Sequence, residues 1–156
     1  MKYERYDVLK VSSDFLEYRF VSIGPKGEIQ KLIQFEPTNI PGIYSLAFGN
    51  CTTDGSIDDL AINDNKDRNK ILATVVSSVY GFTMKYPDKM IFFTGSTPQR
   101  TRLYRMAITL NLDELSTDFQ IFGILKDIDT FIQVPFQKGS DYFGFMIRRK
   151  KSNFIL

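Results

Sequence analysis

The sequence has no histidine, no tryptophan and a single cysteine in 156 residues. Without imidazole there is no Ser-His-Asp or Cys-His couple and no histidine-ligated metal. One thiol, Cys51, closes neither an internal disulfide nor a four-cysteine zinc cage. Long apolar runs are missing too: none approaches the ~20 residues that span a bilayer as a helix. Met1 to Asp7 is polar, so no secretory leader is expected, and scarce cysteine makes a cytoplasmic location the expectation. There are no repeats, low-complexity stretches or Pro/Ser-rich linkers, so a single domain is expected. Its length predicts burial of roughly 68–70% of the surface an unfolded chain exposes.

Aromatic residues are plentiful, 14 Phe and 8 Tyr, and predict a ring-rich core. The net charge of +2 conceals an asymmetry. Arg148, Arg149, Lys150 and Lys151 cluster near the end, and setting those four aside leaves 16 basic against 18 acidic residues. The expectation is a mildly acidic body over residues 1–147 and a basic tail over 148–156 that frays into solvent. Such a body argues against a broad nucleic-acid-binding face.

Alternating and continuous apolar runs place strands at Tyr18–Ile23, Glu28–Phe35 and Ile43–Phe48, with the first two joined by a turn at Gly24-Pro25-Lys26-Gly27. Gly49 to Asp64 reads as a loop. A helix is predicted from Lys66 to Tyr86, capped by Asn65, with Ile71, Leu72, Val75, Val76, Val79, Phe82 and Tyr86 on one stripe. Lys89–Thr94 follows as a strand buried on both faces. Thr97-Pro98 opens a second helix with Leu103, Ala107 and Leu110 inward. Strands at Phe119–Leu125, Thr130–Phe136 and Tyr142–Arg149 complete the chain. The predicted class is α+β, a mixed and mostly antiparallel sheet with two helices in the order ββββ-α-β-α-βββ.

If the strands ending near Phe48 and Thr94 run parallel, both helices start at one sheet edge, where ligands of open α/β sheets collect. Helix starts offer free amides and partial positive charge to phosphate or carboxylate. By helical phase, Arg68 and Arg100 both fall on inner faces in the opening turns. They either face an anion or pair with Asp58, Asp59, Asp64 or Asp67. Arg102 and Arg105 point outward by the same phase. Ser96, Thr97 and Tyr104 complete the candidate ligand-binding set with Arg68 and Arg100. The Thr94–Arg100 segment lacks the Gly-Lys-Ser/Thr ending of a P-loop. Asp58-Asp59 lacks EF-hand spacing, and no metal site is predicted. Cys51 reads as a small buried residue.

Two stretches, Asn65–Val75 and Gly95–Arg105, resemble a small uncharacterised bacterial family, a domain of unknown function of about this length. The signature is Gly-Ser-Thr-x-x-Arg-Thr-Arg-Leu-Tyr, and Leu46-Ala47-Phe48-Gly49 and the closing strand share the resemblance. Members often carry Gly where this chain has Lys66. Leu103-Tyr104 and the strand-helix-strand-helix-strand order more distantly resemble the GNAT acetyltransferases. That resemblance implies coenzyme A as cofactor and Tyr104 as the acid that protonates its departing thiolate. The corresponding pyrophosphate loop here, Asn65 to Lys70, holds no glycine and carries Asp67.

Three functions follow as expectations. The first is a non-enzymatic cytoplasmic binding or interaction protein without a cofactor, whose partner is a protein or a phosphate-bearing ligand. The second is an acyl-coenzyme A transferase. The third is a single-stranded nucleic-acid binder using exposed strand rings and the basic tail.

Overall fold

A computed structural model of the chain describes residues 3–58 and 64–151. In chain order the elements are β1 (Lys10–Val11), β2 (Glu17–Gly24), β3 (Gly27–Pro37), β4 (Ile43–Cys51), β5 (Ile57–Asp58), α1 (Arg68–Lys85), β6 (Met90–Phe93), α2 (Pro98–Leu110), α3 (Leu112–Asp118), β7 (Phe119–Asp127), β8 (Thr130–Pro135) and β9 (Gly144–Arg149). They form an α+β fold on one mixed, mostly antiparallel sheet ordered β1-β2-β3-β4-β6-β9-β7-β8, with β5 paired to β4.

The parallel pair is β4 with β6, as a strand-helix-strand crossover dictates, and it spans only Ile43↔Met90 to Ser45↔Phe92. Antiparallel pairing of β4 with β5 begins further along, at Asn50↔Asp58. Positions 46–49 of β4 therefore have no strand opposite them on that edge among the described residues. The last strand, β9, enters between β6 and β7.

Alternation sorts the side chains. Tyr18, Phe20, Ile33, Phe35, Leu46, Phe48, Ile91, Phe93, Phe145 and Ile147 are buried beneath the helices. Phe82 of α1 stacks on Phe35 at 4.4 Å, and Tyr80 meets Phe119 edge-on at 5.1 Å. Tyr104 of α2 sits 5.4 Å from Phe48 and 5.2 Å from Phe93. At such separations ring pairs add about 0.5–1.5 kcal/mol each beyond area burial. The predicted α1 stripe is buried from Ile71 to Phe82.

Several boundaries move. Among the described residues there are three helices, not two: α2 breaks at Asn111, whose side-chain amide donates to the Ala107 carbonyl at 2.8 Å. A side chain that bonds the backbone so competes with helix continuation, and α3 restarts at Leu112. Five described strands precede α1 where four were predicted; the two-residue β1 and β5 give no periodic signal, and β4 runs on to Cys51. In β6 only Ile91 and Phe93 are buried, while Met90 and Phe92 are half-buried, so the strand is covered fully on one face. Asn65 is not the helix cap. Asp67 holds that position without a side-chain capping bond, and Asn65 is buried instead. The charge-drawn boundary at 147 falls inside β9, where Arg148 pairs with Met90 and Arg149 with Phe119. Residues 152–156 of the expected tail and Asp59 lie outside the described residues.

Candidate anion-binding site

The start of α2 is fixed from both sides. Thr97, in extended conformation, accepts a hydrogen bond from the Arg100 amide at 3.2 Å, and Pro98 takes the first helical position. Thr101 Oγ1 accepts from the Gly95 amide at 3.0 Å and donates to the Thr97 carbonyl at 3.2 Å. Thr94 Oγ1 donates to the Phe143 carbonyl at 2.6 Å, tying the loop to the approach of β9. A Cβ at Gly95 would lie 2.2 Å from the Thr101 amide nitrogen. The glycine is needed for its close approach to the helix, whatever binds nearby.

Beside this turn lies a cavity of about 460 Å³, within the range of small-molecule sites. Ser96, Thr97, Arg102 and Arg105 line its polar side, and Tyr142 and Phe145 contribute rings. Arg105 is an anchored charge: its guanidinium pairs with Asp141 and donates to the Ser140 carbonyl at 3.3 Å. Arg102 and Ser96 are exposed, and neither is committed to a protein partner among the described residues. Tyr142 lies against Gly123, and its hydroxyl accepts from the Gln137 amide at 2.9 Å, which holds that ring in place. The arrangement offers an exposed, uncommitted cation, a second cation paired with Asp141, hydroxyls and the positive end of a 13-residue helix, over an aromatic floor.

The five candidate residues, Arg68, Ser96, Thr97, Arg100 and Tyr104, fall in four different places. Ser96 and Thr97 line the cavity. Arg100 turns from it toward the sheet, where its guanidinium donates to the Phe48 carbonyl and lies 4.4 Å over the Phe48 ring. It thus serves the stretch of β4 that neither β6 nor β5 covers. Tyr104 is buried between Phe48 and Phe93. Arg68 is exposed, contrary to the phase argument. It is the first helical residue, and helical side chains lean toward the N-terminus, which carries it past the packed turn into solvent. Arg102 and Arg105, expected on a solvated face, are the arginines that reach the cavity.

Sequence reasoning also missed what fills the start of α1. Asn65 Oδ1 accepts from the Lys26 amide at 2.7 Å, and its Nδ2 donates to Ser22 Oγ and the Gly27 carbonyl, both at 3.0 Å. Asp67 accepts from Ser22 Oγ and from the Tyr6 hydroxyl. Burial, followed by the Asp67 bond, pushes the Tyr6 hydroxyl above its ordinary value. Lys31 is buried below this group, donates to Asn50 Oδ1 at 2.6 Å, and is pushed below the usual lysine range by its desolvation. A carboxylate and a hairpin turn therefore occupy the α1 start among the described residues. Periodicity gave no clue, since these are polar residues at hairpin and linker positions.

Cys51 is half-buried, and its sulfur accepts from the Arg19 guanidinium at 3.0 Å. Tyr18 and Phe20, two of the rings considered for nucleic acid, are buried, whereas Phe143 is exposed beside Phe131 at 5.3 Å. The basic cluster is folded down: Arg149 donates to Thr83 Oγ1 at 2.9 Å and lies 5.1 Å from the Phe119 ring centre, and Lys150 donates to the Ser116 carbonyl at 2.6 Å. No described helix is long and apolar enough to cross a membrane.

Comparison with known protein families matches residues 2–150 to a family of unknown function, DUF6934. The chain belongs to that family. The DUF6934 match takes in every strand and helix described above and ends just beyond β9. No curated protein and no solved structure matches the chain.

Proposed function

We propose that the chain is a non-catalytic binding protein whose ligand carries a phosphate or carboxylate group, held in the cavity at the start of α2. The observation that carries this reading is the convergence of Arg102 and Arg105 with Ser96 and Thr97 on one aromatic-floored cavity. Arg105 is positioned by Asp141, so its orientation costs little on binding. Arg102 closes on the anion as a planar donor pair. A guanidinium is a donor without an acceptor atom, which favours binding over proton transfer. Calorimetric titration with phenyl phosphate tests the reading, because that probe combines an anion with a ring for the floor. Saturable binding weakened about tenfold or more by Arg102→Ala is the expected outcome, since a hydrogen bond to a charged group is worth about 1.5–3 kcal/mol. Absence of saturable binding ends the proposal.

A second reading, an acyl-coenzyme A transferase, draws support from Arg100 and Tyr104 lying where β4 and β6 part. A coenzyme A-dependent rise in melting temperature that Tyr104→Phe leaves intact, with acyl transfer lost, would favour it. No rise at millimolar coenzyme A removes it.

A further inference from the structure

One end of the sheet is β8, which pairs with β7 and with no other strand among the described residues. Its sequence, Thr130-Phe131-Ile132-Gln133-Val134-Pro135, carries no charge, and Phe131 and Ile132 are 59% and 46% exposed. Edge strands are ordinarily guarded by charged side chains, bulges or a covering segment. This one has only Pro135, at its last position. The turn that leads into it is also unusual. Ile128 has φ of 37° and is 88% exposed, where a two-residue hairpin turn normally takes Asn, Asp or Gly. A β-branched side chain held outward in left-handed space adds nothing to the core of its own chain.

The register fixes which backbone groups of β8 are free. The Phe136 amide donates to the Ile121 carbonyl at 3.1 Å, and the β7–β8 pairs run from Phe122↔Pro135 to Asp127↔Thr130. Bonded and non-bonded pairs alternate along an antiparallel ladder, so Val134, Ile132 and Thr130 bond inward to β7. Phe131 and Gln133 therefore turn their N–H and C=O groups outward, and Pro135 offers a carbonyl alone. We infer that β8 is a self-association edge, on which two copies of this chain pair β8 against β8, antiparallel, about a two-fold axis at Ile132. In that register Phe131 of each copy stands opposite Gln133 of the other, and every outward N–H meets a carbonyl. A two-fold at Gln133 would instead set Phe131 against Pro135, which has no N–H to give. Ile132 meets its own counterpart across the axis, with Thr130 opposite Val134. An uncharged strand suits this arrangement, because a charge beside a two-fold axis faces its like. Further out the charges are complementary. Antiparallel pairing lays the exposed acids of one turn, Asp127 and Asp129, at the end of β8 where the other copy carries the exposed Lys138. The same turn carries Ile128 toward Phe136 of the other copy, which gives its side chain an apolar neighbour.

Sedimentation equilibrium of the full chain from about 1 µM to about 1 mM tests the inference, since a contact between two edge strands is small and weak. Wild type is expected to pass from monomer to dimer over that range. Ile132→Lys and Ile132→Glu each set like charges across the axis, and each is expected to weaken dimerisation roughly tenfold or more. An equimolar mixture of the two is expected to regain a dimer, as opposite charges then face each other. Ile132 is exposed, and urea midpoints near the wild-type value establish that both variants are folded. Hydrogen exchange of wild type needs no variant. The Phe131 and Gln133 amides are expected to exchange roughly tenfold or more slowly at the top of the range than at the bottom, while the Ile132 amide is protected at both. Three results overturn the inference. The first is a monomer at every concentration, which would leave this edge to a strand of a different protein. The second is a dimer that survives in both variants, or a mixture that restores none. The third is exchange at Phe131 and Gln133 that ignores concentration.

Discussion

Arg100 and Arg102 stand two positions apart on α2 and have opposite duties. Arg100 supplies a charged hydrogen bond to the Phe48 carbonyl and covers that ring, so Arg100→Ala is expected to cost about 2–3 kcal/mol. Arg102 is exposed, and Arg102→Ala should stay within about 0.5 kcal/mol of wild type. Urea unfolding of the two variants measures both. Lys66 has φ of 62°, left-handed space in which a side chain is strained. Lys66→Gly is expected to raise stability, by about 1 kcal/mol or less once the glycine entropy is counted, read as an increased urea midpoint. Tyr18 gives a pH dependence. Its folded value of about 12 lies above the ordinary 10.0, so its share of stability is intact below pH 10 and is lost as pH rises through 12. Stability measured from pH 10 to 12 should fall less steeply for Tyr18→Phe than for wild type. At this scale the sequence was a partial guide. Helical phase gives a side chain's angle about the axis, but not how far the sheet beneath extends, and that is why Arg68 faces solvent while Arg102 reaches a cavity.

The long strands and both long helices were legible because their burial is periodic and their turns carry Gly, Pro or Thr at positions the backbone demands. Thr97 and Pro98 open α2 as their chemistry predicts. The start of α1 was not legible, because Asn65 looks like a cap in sequence and serves instead as a clip across the β2–β3 turn. Its three hydrogen bonds join that hairpin to the helix approach. Asn65→Ala should therefore cost more than a lost cap, about 2–3 kcal/mol, by leaving Ser22 and the Lys26 amide without this partner. Hydrogen exchange should quicken in Gly24–Gly27 and in the first turn of α1 together. Acceleration in the helix alone would reduce Asn65 to a capping residue. The short β1, β5 and α3 escaped because two to seven residues are too few to set a period.

For the whole molecule, the α+β class follows from the order of elements, but the sheet order does not. The final strand settles between β6 and β7 by pairing with residues far away in sequence, which no local pattern encodes. That placement draws Arg148, Arg149 and Lys150 down onto the body, so the first two residues that charge arithmetic assigned to a tail belong to β9. It also brings Tyr142 and Phe145 beside the start of α2, and this meeting creates the cavity. The site is thus tertiary in origin: Ser96 and Thr97 were visible in the sequence, and the rings opposite them were not assignable. Calorimetric titration of phenyl phosphate into wild type, Arg102→Ala and Arg100→Ala tests the central claim most directly. The account predicts saturable binding to wild type, about tenfold or greater weakening in Arg102→Ala, and near-wild-type affinity in folded Arg100→Ala. Loss of binding in Arg100→Ala with retention in Arg102→Ala would contradict it and return the anion to the gap between β4 and β6.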